Sequence, residues 1–279
     1  MADTDKGVSA IRLVVSDVDG TLVDKDKRLT DGTIAAVKRL RDAGIAFTVI
    51  SARPMSGIQP LLEPLELDED VGAFNGGIVF RRDGTIVSRH TIDERVARGV
   101  IGMAAGEQVD TWVFADDQWF ATDGDGPHTA SERVSSNQEP VIRADFDDLL
   151  GRADKITFVS DDADRLHALY EKAHGQYGEQ ATIAQSQTYY LDVTALAANK
   201  GDGVAALAKS NGVDLTDTAV IGDQHNDLPM LGRAGLPIAM GNAPDDVKAV
   251  ARKVTRANDE DGVAHAIETI ILPTLENPK

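Results

Sequence analysis

Two carboxylates two positions apart, Asp17 and Asp19 in Asp17-Val18-Asp19-Gly20-Thr21-Leu22, directly follow an apolar, β-rich run. Such a run reads as a buried strand, which would stand Asp17 at its carboxyl end and let both side chains face one crevice. Gly20 allows the backbone to turn sharply away. Acids this close are unfavourable neighbours unless a cation or a proton intervenes. Chemistry uses both remedies: a metal-bound carboxylate as nucleophile, and a neighbour kept protonated as general acid. The same residues also fit an ordinary acidic turn after a strand.

A second acidic pair lies far along the chain, in Gly222-Asp223-Gln224-His225-Asn226-Asp227, again behind a β-rich run. Asp223 would sit at a strand end, with Asp227 four residues on, at or near a helix start. Oxygen ligands of this kind suit a hard cation such as Mg²⁺. The helix dipole alone would also favour Asp227 there. His225 reads as solvent-facing. Ser51 closes the strand at 45–50 and precedes Ala52-Arg53-Pro54, a turn into a helix, where a hydroxyl and free amides make an oxyanion seat. Lys200, in Asn199-Lys200-Gly201, opens a helix. The dipole disfavours a cation at that end, so an anion faces Lys200 or solvent does. Asn75 and Gly76 follow a third strand, as substrate contacts or as a tight turn.

These residues need a frame. Strands are expected at 11–16, 45–50 and 71–74, with a helix between the first two. Thr30 caps that helix, Ile34, Val37 and Leu40 form its apolar face, and Gly44 stops it. From residue 78 the pattern changes. Hairpins are expected over 78–88 and 109–122, then a strand at 155–160, a helix at 163–174, and strands at 183–186 and 189–193. Near Lys200 the strand–helix alternation resumes. The fold class is therefore α/β: a doubly wound, parallel-sheet (Rossmann-like) core from residues 1–84 and 190–279, with an α+β domain inserted at 85–189. In the insertion Trp119, Asp123 and His128 could face the crevice, although packing or exposure is the simpler explanation of each.

In order, Asp17-Val18-Asp19-Gly20-Thr21-Leu22, Ser51, Lys200, and Gly222-Asp223 with Asn226-Asp227 resemble the four motifs of the haloacid dehalogenase-like superfamily. The insertion and Phe74-Asn75-Gly76-Gly77 resemble its Cof-type branch, subclass IIB. The resemblance implies a Mg²⁺-dependent phosphatase acting on a small phosphorylated metabolite, a sugar phosphate or similar phosphomonoester. It implies that Asp17 is the nucleophile, forming an aspartyl-phosphate, and that Asp19 is the acid and base. The metal would be held by the Asp17 carboxylate, the Asp19 carbonyl and Asp223, with Asp227 supporting its waters. Ser51, Lys200 and Asn226 would bind the phosphoryl oxygens, and the insertion would be a cap closing over the site. Arg53 would reach substrate or pair with a core carboxylate. The second motif usually reads Gly-Arg after its hydroxyl residue; here Ala52 precedes Arg53. A phosphohexose mutase of the same branch and a non-catalytic phosphometabolite-binding module are the rival readings.

Composition narrows the partners. With 46 acidic and 28 basic residues among 279, the net charge is −18. A field of that sign repels nucleic acid and anionic membrane. It also repels phosphorylated substrates, which must then be met by local cations. There are no cysteines, so disulfides and thiolate metal sites are excluded. The polar start, residues 1–6, lacks the layout of a secretory signal, and no apolar run approaches the ~20 residues of a membrane span. A cytoplasmic monomer or homodimer is expected.

Overall fold

The computed structural model describes residues 10–276; the polar start at 1–6 lies outside the described residues. The chain opens with β1 (Leu13–Ser16), α1 (Asp31–Asp42), β2 (Ala46–Val49) and α2 (Met55–Leu62). Local chemistry sets α1 as its sequence suggests. The Thr30 hydroxyl accepts the Thr33 amide at 3.1 Å, and Gly44 turns the chain away with φ 82°. Val37 and Leu40 are fully buried beneath it.

Next come β3 (Val71–Ala73), β4 (Ile78–Phe80) and β5 (Ile86–Arg89), an antiparallel three-stranded sheet. The insertion follows as α3 (Glu94–Ala104), β6 (Asp110–Ala115), β7 (Gln118–Ala121), α4 (Thr129–Ser136), β8 (Val141–Ile142), β9 (Ala153–Val159), α5 (Ala163–Tyr177), β10 (Ala181–Gln187) and β11 (Tyr190–Ala195). The return runs through α6 (Lys200–Ser210), β12 (Thr218–Gly222), α7 (Leu228–Leu231), β13 (Leu236–Ala239), α8 (Asp245–Val250), β14 (Lys253–Val254) and α9 (Gly262–Ala266).

The core sheet is parallel, in the order β14-β13-β12-β1-β2. From β1 the chain builds outward through β2 on one side and returns through β12 on the other. The order therefore reverses between β1 and β12, where such sheets place ligands. Register brings the relevant ends level: Ser16 lies opposite both Ile221 and Val49. The Asp17 amide donates to the Ile221 carbonyl (2.9 Å) and the Ile50 amide to the Ser16 carbonyl (3.0 Å).

Two expectations change. The third strand, β3, meets the core sheet at a single bridge among the described residues, from Ile50 to Gly72, and pairs chiefly with β4. The hairpin at 78–88 thus belongs with β3 on the core side, not with the insertion. At the other boundary, β11 is hydrogen-bonded to β9 and β10 in the six-stranded sheet β10-β11-β9-β6-β7-β8. A division at 189 would cut that sheet, so the cap runs to about residue 195.

The two faces of the cap sheet differ because side chains alternate along each strand. Val113, Ile156, Phe158, Leu191 and Val193 pack under α3 and α5. The opposite face carries Trp112, Phe114 and Trp119, which join the same apolar cluster as Phe74 and Phe80 of the core side. That face also carries Lys155, Thr157, Tyr190 and Asp192, in register with the aromatic residues. Cap and core therefore meet over the carboxyl ends of β1, β2 and β12.

Candidate active site

Asp17 ends β1, and the turn after it leaves Gly20 at φ 78°. A Cβ there would lie 2.5 Å from Asp223 Oδ2, so only glycine lets the two acidic loops meet. Asp223, at the end of β12, is fixed by Thr21 Oγ1 (3.1 Å) and by Asn242 Nδ2 (3.2 Å), which also donates to the Gly20 carbonyl. Asp227 turns back on its own loop, and its Oδ2 accepts the amides of Asp223 (2.8 Å) and Gln224 (2.9 Å).

Lys200 joins the two halves of the site. The Asn199 side chain caps α6 by accepting the Asp202 amide at 2.9 Å. With the cap fixed, Lys200 points inward and is 1% exposed. Its Nζ donates to Asp17 Oδ1 (2.5 Å) and Asp227 Oδ1 (2.6 Å). Of the two partners the dipole argument left open, an anion or solvent, Lys200 meets anions. Burial alone would lower its pKa, but Asp17 and Asp227 raise it above the ordinary lysine range.

Asp17, Asp223 and Asp227 each offer a carboxylate oxygen to a group lying within 4.8 Å of one another, all buried. One ammonium does not balance three carboxylates away from water. Burial, with Asp227 adding repulsion, pushes the acids of both Asp17 and Asp223 up. A hard divalent cation removes that excess, and an all-oxygen donor set is what Mg²⁺ takes. The residues fit the ion.

Asp19 is not the protonated neighbour that the close pair suggested. Its side chain turns away from the three acids toward Arg53, which grips it with Nε and Nη2 (2.7 Å each), and Lys27 Nζ adds a third contact at 2.5 Å. Burial would raise its pKa, but Arg53 and Lys27 outweigh burial and hold Asp19 well below the usual carboxylate range. Only its carbonyl is left for a metal. Arg53 pairs with a core carboxylate and lines the crevice as well. The Ser51 hydroxyl accepts the Arg53 amide (3.2 Å) and borders the same crevice as Ala52 and Asn226.

Asn75 and Gly76 stand further back. Asn75, in the left-handed region at φ 58°, accepts a bond from Asn226 Nδ2 at 3.4 Å. A Cβ on Gly76 would lie 2.6 Å from the Gly203 Cα, so Gly76 serves the close approach of α6. His225 is partly exposed and paired with Asp246, as a solvent-facing residue would be. Of the cap candidates, Trp119 is buried in the apolar cluster, Asp123 is exposed, and His128 stacks on Tyr189 at 3.7 Å.

The crevice, about 120 Å³, is closed from above by groups not singled out from the sequence: Glu132 of α4, Lys155 of β9 and Asp192 of β11, with Lys27 at its edge. Their signal was the polar alternation in Lys155-Ile156-Thr157-Phe158 and Tyr190-Leu191-Asp192-Val193, which reads as a half-solvated sheet when no partner is known.

The family model for haloacid dehalogenase-like hydrolases matches residues 14–267, from β1 through α9. The chain belongs to the haloacid dehalogenase-like hydrolases. A relative from Escherichia fergusonii, named HMP-PP phosphatase, is 32% identical over 85% of this chain and 87% of its own. The phosphatase YwpJ of Bacillus subtilis is 26% identical over 94% of this chain and 100% of its own. Among solved structures, a haloacid dehalogenase-like hydrolase from Bacteroides thetaiotaomicron gives a TM-score of 0.83 at 26% identity, covering 93% and 99% of the two chains. The subclass IIB sugar phosphatase BT4131 shares the fold, with a TM-score of 0.80 at 22% identity over 92% and 98%. The chain is accordingly a phosphatase of this family. No helix among the described residues is long and apolar enough to cross a membrane.

Proposed function

We propose that the protein is a Mg²⁺-dependent phosphatase that hydrolyses a small phosphorylated metabolite, a sugar phosphate or similar phosphomonoester, through an aspartyl-phosphate on Asp17. The observation that carries this reading is the bridge from Lys200 Nζ to Asp17 Oδ1 and Asp227 Oδ1, which joins residues 183 and 27 positions apart beneath a polar cap. Relatives named for small phosphorylated compounds support the substrate class.

In this mechanism Asp17 attacks phosphorus with Oδ2, the oxygen that Lys200 leaves free. The Asp17 carboxylate, the Asp19 carbonyl and Asp223 would hold Mg²⁺, with Asp227 behind them. When bound, the ion neutralises charge on the transferring phosphoryl group. Lys200, Ser51 and Asn226 meet the phosphoryl oxygens from the protein side, which is where an in-line transfer gathers charge. Asp19, ionised in this arrangement, suits the second half-reaction, in which it takes a proton from the hydrolytic water. In the first half the proton comes from a phosphomonoester bound as its monoanion, and Asp19 relays it to the leaving oxygen.

The test is phosphate release across a phosphomonoester panel with Mg²⁺, with a chelator, and with Asp17→Asn. Metal-dependent release that is lost in the variant is expected. Release that persists in Asp17→Asn would remove the nucleophile from the scheme.

A further inference from the structure

The ceiling of the crevice holds two ionisable groups that form no ion pair with any described residue. Glu132, on α4, is 7% exposed and lines the crevice, yet its carboxylate makes no hydrogen bond or ion pair with any described residue. Lys155, on β9, is 6% exposed. Its Nζ donates to the Ala52 carbonyl at 3.5 Å and lies over the Phe114 and Phe74 rings, 4.6 and 5.8 Å from their centroids. Buried charges are normally paired, because desolvating a lone one is costly. Asp192 stands beside them on β11, with one oxygen accepting Thr157 Oγ1 at 2.6 Å and the other without a described donor.

The remaining cations of the crevice are committed elsewhere, Arg53 and Lys27 to Asp19, and Lys200 to Asp17 and Asp227. The ceiling therefore sets two carboxyl groups against one ammonium, over a crevice of about 120 Å³. That is well below the ~300–1,000 Å³ of a drug-sized pocket. A second anion on the substrate would be brought against Glu132 and Asp192 with little water between them. Hydroxyl donors would satisfy the free oxygens, and an ammonium would also cancel the excess charge.

We propose that Glu132, Lys155 and Asp192 form the leaving-group site, and that they select small, hydroxyl-rich phosphomonoesters that carry an amino group or no further charge, against those bearing a second anion. The proposal rests on the phosphatase reading above and adds the charge class of the substrate. Lys155 donates to an oxygen of the leaving group while Glu132 and Asp192 accept from its O–H or N–H groups. Burial raises the acid of Glu132 to about 7, as expected where a counter-ion is missing.

Three probes of nearly equal size separate the cases: glucosamine 6-phosphate, glucose 6-phosphate and 6-phosphogluconate, with acetyl phosphate as a substrate that has almost no leaving group to recognise. For the unmodified enzyme with Mg²⁺, kcat/KM should fall in that order, by about tenfold or more from the first to the third. Glu132→Gln, and independently Asp192→Asn should the first variant not fold, should shrink the ratio of the amino to the acidic substrate several-fold. The proposal is overturned if 6-phosphogluconate is turned over as well as the amino sugar. It is overturned equally if neither folded variant moves the ratio, or if acetyl phosphate is hydrolysed and none of the three sugar acids and esters is. Failure with acetyl phosphate as well would instead sink the phosphatase reading, and this proposal with it.

Discussion

Lys200 stands at a helix end where the dipole disfavours a cation, and two buried aspartates account for it. Truncating the lysine leaves Asp17 and Asp227 buried without their counter-ion. Lys200→Met is expected to cost about 3–5 kcal/mol of stability, the usual range for breaking a buried ion pair, read from urea unfolding in chelator. Its kcat should also fall by about 10²–10³-fold, as when a positioned donor to the developing charge is removed. Glu132 makes a different prediction. Lys155, Asp192, Asp19 and Arg53 are the charges that act on it, and burial dominates them all, lifting its acid from the ordinary 4.5 to about 7. The folded state therefore binds this proton more tightly than the unfolded chain does. Its contribution to stability is complete below pH 4.5 and is lost as pH rises through about 7. Glu132→Gln should flatten that part of the stability–pH curve and gain on the order of 2–3 kcal/mol relative to the parent at pH 8. An unchanged slope in thermal melts between pH 5 and pH 8 would contradict the assignment.

At the scale of elements, the positions of the acidic loops were legible and the ceiling was not. Asp17, Ser51, Lys200 and Asp223 each sit where a strand ends or a helix begins, and caps, turn glycines and apolar runs mark those places in one dimension. The faces of β9 and β11 were legible only as an alternation. Period two says that Lys155, Thr157 and Asp192 share a face, but not whether water or another domain covers it. The same ambiguity misplaced both boundaries of the insertion. The hairpin of β4 and β5 is local and visible, whereas its pairing with β3, and the pairing of β11 with β9, are contacts between distant segments. The junction of cap and core can be tested at α2 and α4. A Cβ on Gly57 would collide with the Ser135 carbonyl, beside the bonds from Ser56 Oγ to the Ser136 carbonyl (2.7 Å) and from Gln138 Nε2 to Ser56 Oγ (2.6 Å). Gly57→Val is expected to hold α4 off the core. Faster amide exchange in α4 and the neighbouring turn, with KM raised about tenfold or more, would follow from loss of the ceiling over the crevice. Unaltered exchange there would mean that this contact does not hold the cap down.

For the whole molecule, an acidic protein with a net charge of −18 must accept a phosphate dianion. The local answer is a crevice where Lys200, Arg53 and Lys27 converge on Asp17 and Asp19, and where three buried carboxylates are disposed for a divalent cation. Cap and core enclose that crevice, so long-range repulsion is overcome by a few short contacts. The central claim is that Asp17 carries the phosphoryl group during turnover. It is tested most directly by mixing the protein with acetyl phosphate and Mg²⁺, quenching in acid, and weighing the peptide that contains Asp17. A single added phosphoryl mass on that peptide, absent with chelator and absent in Asp17→Asn, is the predicted result. Sustained phosphate release with that peptide unmodified at every quench time would contradict the account.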